Sequence, residues 1–167
     1  MQPIDAGVDH MRGGGDHLIV EYGDYECPYS RKAYREIERL ERRVGGQVRF
    51  AFRHFPLSDI HPHAMGAAQA AEAAALQGKF WEMHEVLYSN QDALEPEDLE
   101  HYASQVGLDV ARFKRDRLSE VVDARVRRDV ADGNASGEVL GTPTLYIDGR
   151  VYRGGYDHAT LLEALAS

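Results

Sequence analysis

The sequence predicts an α/β fold in which an all-helical insertion separates a βαβ half from a ββα half. Three observations carry this expectation. An apolar run, a helix-period stretch and an alternating stretch follow one another over residues 18–55. Residues 57–138 then show helical spacing and no strand pattern. Strand signal returns at Thr144-Leu145-Tyr146-Ile147, followed by a tight turn and a closing helix.

The first strand is read from Leu18 to Tyr25, where Leu18-Ile19-Val20 supplies branched apolar side chains and Tyr22 and Tyr25 follow. Pro28 then suits the first turn of a helix, where its missing N–H is not needed. Ala33, Tyr34, Ile37, Leu40 and Val44 recur at spacings of three and four on one helical face, and Gly45-Gly46 stops the helix. Val48, Phe50 and Phe52 alternate with Arg49, Ala51 and Arg53 in a second strand, long enough after the first for a parallel, right-handed crossover.

Five helices are expected in the insertion. Ala64–Leu76 is rich in the best helix former. Lys79–Ser89 sets Phe80, Met83, Leu87 and Tyr88 at helical spacing, and Pro96–Val106 starts on a first-turn proline. Asp109–Leu118 is a short fourth helix, and Val121–Ala131 a fifth, broken by Gly133 and Gly137. Asp148-Gly149 makes the hairpin turn after Thr144–Ile147, Arg150–Arg153 the return strand, and Tyr156–Ala166 the closing helix with Leu161, Leu162 and Leu165 inward. The expected organisation is therefore a flexible lead-in over 1–16 with Gly13-Gly14-Gly15 as its hinge, a sheet domain from 17–56 and 139–167, and a helical insertion over 57–138.

The chain has 167 residues, of which 43% are hydrophobic, enough for a real core. A net charge of −9 argues against nucleic acid and anionic membrane as partners, because both would be repelled. No stretch approaches the ~18 apolar residues of a membrane span. Met1–Asp16 has no apolar core of the kind a secretory signal needs, so the cytoplasm is the expected compartment unless an export signal has been removed. A single cysteine, Cys27, excludes an internal disulfide.

A lone cysteine is usually a small buried hydrophobe. Cys27 differs by its place between a strand end and a helix start. The first turn of a helix presents unpaired N–H groups and a partial positive charge, which favour the nucleophilic thiolate. Arg31 and Lys32 add positive potential there, while Asp24 and Glu26 oppose it. Ser30 lies three residues on, a spacing that puts its hydroxyl beside the sulfur, where it can donate a hydrogen bond but cannot form a disulfide. Tyr29 is expected to shape the surface beside the sulfur. His54, His61 and His63 fall within ten residues, but no second cysteine and no i, i+4 histidine pair with a glutamate accompany them, so no metal site is expected. Phe80, Trp81 and Met83 read as packing, and Arg125, Arg127 and Arg128 as an ion-paired helix face.

Cys27-Pro28-Tyr29-Ser30, preceded by Val20-Glu21-Tyr22-Gly23-Asp24-Tyr25-Glu26, resembles the active-site segment of DsbA-like thiol–disulfide oxidoreductases, which have a thioredoxin-like fold. Arg53-His54-Phe55-Pro56-Leu57, His61-Pro62-His63-Ala64, Gly78-Lys79-Phe80-Trp81-Glu82-Met83-His84 and Gly141-Thr142-Pro143-Thr144 extend the resemblance over nearly the whole chain. The resemblance implies that Cys27 is the attacking cysteine. It implies that Pro143 follows a cis peptide bond facing the sulfur, and that the backbone of Thr142 pairs with a substrate peptide beside Pro28 and Tyr29. It also implies that Glu21 is a buried acid relaying protons, its pKa raised by burial.

The departure is Ser30, which stands where the family carries its second, resolving cysteine. The resemblance therefore implies a one-thiol oxidoreductase with no bound cofactor. Its partners would be protein or peptide thiols and disulfides, and its mixed disulfides would be resolved by an external thiol, with glutathione the candidate co-substrate. Three alternatives stay open: a kappa-type glutathione transferase with Ser30 holding the glutathione thiolate, a redox-inactive peptide-binding module, and an engineered Cys-to-Ser trapping variant of a dithiol enzyme.

Overall fold

The computed structural model of the protein describes residues 1–167. Its sheet has five strands: β1 (His10–Gly13), β2 (His17–Gly23), β3 (Val48–His54), β4 (Thr144–Ile147) and β5 (Arg150–Tyr152). Their spatial order is β1-β3-β2-β4-β5. Only β2 and β3 run parallel, joined by α1 (Pro28–Val44) as their crossover. The other pairs are antiparallel, with Glu21 of β2 opposite Phe52 of β3 on one side and Leu145 of β4 on the other. The helical insertion comprises α2 (Ala64–Ala75), α3 (Phe80–Ser89), α4 (Pro96–Gln105), α5 (Val110–Arg117) and α6 (Glu120–Ser136), and α7 (His158–Leu165) closes the chain. The architecture is the expected α/β fold with a helical insertion between its two halves.

Local chemistry explains most boundaries. Helix α1 starts on Pro28 and ends where Gly45 adopts a left-handed conformation, φ 56°. Asp109, Ser119 and Asp157 cap α5, α6 and α7 by accepting backbone N–H bonds, and Glu95 and Asp98 form a capping box on α4. Asp148 and Gly149 both have positive φ, which lets the two-residue turn between β4 and β5 follow the strand twist.

The sheet domain and the insertion share one continuous core. It joins Ile37 and Leu40 of α1, Phe50 and Phe52 of β3 and Leu161 of α7 to Leu87, Leu99 and Phe113 of the insertion. Ala67, Ala70, Ala71, Ala73 and Ala74 of α2 are all fully buried, so that helix runs through the middle of the insertion where larger side chains would not fit. A smaller cluster, Val20, Tyr22, Ala51, Phe55, Val139 and Tyr146, covers the opposite face.

Two expectations need correction. Residues 1–16 are not a loose lead-in. β1 pairs antiparallel with β3, and Asp9 is buried against Arg53. Gly13 and Gly15 are not hinge residues; both have positive φ, and a Cβ on either would lie 2.2 Å from a backbone carbonyl of Val48 or Gln47. The second correction concerns α6, which runs straight through Gly133 and stops at Gly137. Gly133 is there for space: a Cβ would lie 2.8 Å from the Phe55 ring and 3.3 Å from that of Tyr22. Gly133→Ala would gain about 1 kcal/mol of helix propensity but would pay a packing penalty of about 1–3 kcal/mol. A net loss of about 1 kcal/mol is expected in urea unfolding. A stability gain would mean that the Phe55 ring yields without cost.

Candidate active site

The sheet delivers the end of β2 and the start of β4 to the same point. Between β2 and α1 the chain makes a short loop, Asp24–Cys27, held by one side chain. Asp24 is 1% exposed. Its carboxylate accepts from the backbone N–H of Glu26 at 2.7 Å and of Leu57 at 2.9 Å, and pairs with Nδ1 of His61 at 2.7 Å. This is an Asx-turn at the loop's start. Gln91, just after α3, secures the other end by donating from Nε2 to the carbonyls of Tyr25 (2.8 Å) and Cys27 (2.9 Å). The insertion therefore fixes the active-site loop directly.

Cys27 is the N-cap residue of α1, with extended backbone at φ −77° and ψ 122°. It is 3% exposed, and its Sγ donates to the carbonyl of Thr142 at 3.4 Å. The Thr142–Pro143 peptide bond is cis. Cys27, Thr142 and Pro143 thus meet, although 115 residues separate the first two. Pro28 and Tyr29 are exposed beside them, Tyr29 at 65%.

Ser30 is where the structure corrects the expected geometry. Its hydroxyl is fully buried and accepts from the backbone N–H of Asp24 at 3.2 Å, and it makes no hydrogen bond to the sulfur. The three-residue spacing brings it under the loop, where its oxygen satisfies a buried backbone N–H.

Glu21 is central on β2 and fully buried. It points to the same face as Ile19, into the larger core, by the two-residue period of a strand. Neither carboxylate oxygen has a hydrogen-bond partner. Burial pushes its pKa up to about 8, opposed only in part by the charge of Arg12, so the carboxyl holds its proton near neutrality.

Other side chains around the site take roles that the sequence alone does not assign. Burial, and then negative charge on Cys27, Tyr29 or Glu21, pushes the phenol of Tyr156 up. His63 bridges Glu26 at the loop (2.9 Å) and Glu95 on the insertion (2.8 Å), and hydrogen bonds from these two carboxylates raise its pKa. Asp24 and Glu26, close to Cys27 in sequence, hold the loop instead, through backbone N–H groups, His61 and His63. An Asp two residues before an N–H it can cap was the signal available for Asp24. Nothing local pointed to Gln91.

Residues 13–166 match the family model described as thioredoxin. The chain belongs to the thioredoxin family. Its structure is similar to a thioredoxin-like oxidoreductase from Silicibacter pomeroyi, with a TM-score of 0.83 and 29% identity over 95% of this chain and 90% of that one. It also resembles BdbD from Bacillus subtilis in fold, with a TM-score of 0.82 and 23% identity over 97% of this chain and 93% of that one. The likeness is thus to the family's DsbA-like thiol–disulfide oxidoreductases, which share the helical insertion.

Among curated relatives, the chain is 43% identical to an Na(+)/H(+) antiporter of Mycolicibacterium gilvum over 99% of its own length and 27% of that protein. An Na(+)/H(+) antiporter of Salinispora tropica is 42% identical over all of this chain and 26% of its own length. The chain therefore spans about a quarter of the length of these relatives. No helix of the structure is long and apolar enough to cross a membrane.

Proposed function

We propose that this thioredoxin-family chain is a thiol–disulfide oxidoreductase that works through Cys27 alone and relies on an external thiol, such as glutathione, to complete each cycle. The observation that carries this reading is the 3.4 Å contact between Cys27 Sγ and the Thr142 carbonyl beside Pro143. It sets the sulfur, at the N-cap of α1, against a backbone edge that an extended peptide can pair with.

Cys27 Sγ, as thiolate, attacks one sulfur of a substrate disulfide, such as a glutathionylated protein thiol. A bond from Sγ to the glutathione sulfur forms as the substrate S–S bond breaks, and the protein sulfur leaves as thiolate and takes up a proton. A second glutathione thiolate then attacks the glutathionyl sulfur and releases Cys27 as thiolate and oxidised glutathione. The protein sulfur is reduced, and the incoming glutathione is oxidised. Glu21 would store a proton on the strand that feeds the active-site loop. Such a cycle fits the cytoplasm, the working compartment we propose, where small thiols are kept reduced.

The kappa-type transferase reading is disfavoured, because Ser30 is fully buried and its hydroxyl presents no surface to a bound glutathione. Incubation with oxidised glutathione should add one glutathionyl group at Cys27, seen by mass spectrometry and removed by reduced glutathione. Ser30→Ala should retain the reaction, and Cys27→Ser should lose it. A thiol that stays unmodified near neutral pH would sink the proposal. Peptide binding that persists in Cys27→Ala without any exchange in the parent chain would favour a binding module instead.

A further inference from the structure

We propose that His10, His54 and Glu72 form a site for a divalent first-row transition ion, zinc foremost, independent of the thiol site. The three residues come from β1, the end of β3 and the last turn of α2. Nε2 of His10 and Nε2 of His54 each lie 2.7 Å from Glu72 Oε1. The three ligand atoms lie within 4.8 Å of one another. A tetrahedral ion with bonds of about 2.0–2.1 Å separates its ligands by about 3.4 Å, so a small retreat of the carboxylate opens room for it.

The ring orientations are already fixed. His10 stacks on Phe80 with centroids 3.6 Å apart and planes 8° from parallel. His54 stands edge-on to Phe52, at 5.4 Å and 84°, and to Phe80, at 6.0 Å and 75°. Neither imidazole has to be ordered when an ion binds, so little rotamer entropy is lost.

The site also has an entrance. His10 and Glu72 line a cavity of about 240 Å³ together with Val8, Leu76 and Arg125. Two imidazole nitrogens, one carboxylate oxygen and an open position facing solvent are the donor set of borderline divalent ions, and the nitrogens disfavour calcium and magnesium. Arg125 is engaged by the carbonyl of Val8 at 3.0 Å, so it does not occupy the carboxylate. An ion here would tie the N-terminal edge of the sheet to the helical insertion and stabilise the fold by mass action. The sequence reading paired His54 with His61 and His63, but those two turn to Asp24, Glu26 and Glu95. His10 and Glu72, far away along the chain, supply the partners.

The test is titration of the full chain, stripped by chelator, with Co²⁺ followed by visible absorption and with Zn²⁺ followed by calorimetry and thermal unfolding. One ion per chain is expected, with a raised thermal midpoint and no thiolate-to-cobalt charge-transfer band. His10→Ala and Glu72→Gln, each shown to be folded by circular dichroism, should weaken binding at least tenfold, roughly the least that loss of even an outer-shell partner costs. His63→Ala should bind as the parent chain does. Three results would overturn the proposal: no binding at micromolar Zn²⁺, undiminished binding in both folded variants, or loss of binding in His63→Ala alone.

Discussion

Replacing Arg53 by methionine is expected to destabilise the fold by about 3–5 kcal/mol, the cost of stripping a buried charge of its partner. Arg53 is 1% exposed on β3. Its guanidinium donates from Nε and Nη2 to the two oxygens of Asp9 at 2.9 and 2.8 Å, and from Nη1 to Asp132 at 2.6 Å. The same group donates to the carbonyls of Gln2 and Pro3, at 3.0 and 3.1 Å, and to the Tyr22 hydroxyl. One side chain therefore ties the N-terminal segment, β2 and α6 to β3. Burial alone would raise the Asp9 carboxyl, but hydrogen bonds from Arg53, the Asp5 backbone N–H and Arg128 override it and hold Asp9 well below the usual carboxylate range.

The sign with pH follows. In the parent chain Asp9 contributes stability above its unfolded pKa, and loses it as pH falls toward its depressed folded value. In Arg53→Met that carboxylate keeps only Arg128 and the Asp5 N–H against its burial, so it should titrate higher than in the parent chain, and the gap between the two proteins is widest at neutral pH and closes in acid. Urea unfolding of both proteins should show the gap narrowing between pH 7 and about pH 4. Adding Asp9→Leu to Arg53→Met should recover part of the loss, because it removes a buried carboxylate that Arg128 alone would otherwise have to balance. A loss under about 1 kcal/mol at pH 7 would show that water replaces the guanidinium, as it does for exposed pairs.

Arg53 also marks the limit of what was legible beforehand. Phe50-Ala51-Phe52-Arg53 alternates as a half-exposed strand does, with Arg53 on the solvent side. The structure buries nearly all of β3 on both faces, because β1 closes its outer edge and the N-terminal segment covers Arg53. That covering depends on pairing between residues 36 to 44 positions apart, which no local pattern encodes. By contrast, Pro28 and Gly45 bracket α1 by their own backbone chemistry, and Asp148-Gly149 dictates its turn. The thiol site divides the same way. The helix-start position of Cys27 was readable from its neighbours, and the Thr142-Pro143 partner from resemblance. The partner of Ser30 was not, because the Asp24 N–H meets its oxygen only once the loop has folded over the start of α1.

Glu21→Gln should change the shape of the stability profile rather than its height alone. The folded chain holds a proton on Glu21 up to about pH 8, whereas the ordinary carboxyl value is 4.5. Between those two values the folded state binds one more proton than the unfolded state, so this residue's contribution falls as pH rises. It is fully present below pH 4.5 and gone above about pH 8. Glutamine cannot titrate, so the variant lacks that decline. Its stability relative to the parent should therefore climb by a few kcal/mol from acid to mildly alkaline pH, at about 1.36 kcal/mol for each pH unit. The glutamine amide will carry its own burial cost, since both Glu21 oxygens lack partners, but that cost does not vary with pH and drops out of the slope. Urea midpoints at half-unit intervals measure the difference. A flat difference would mean that Glu21 is ionised in the folded chain across this range, and it could not then store a proton for Cys27. A sloping difference, with a matching shift in the pH dependence of glutathionyl transfer at Cys27, would tie the buried acid to the sulfur by function as well as by sequence position.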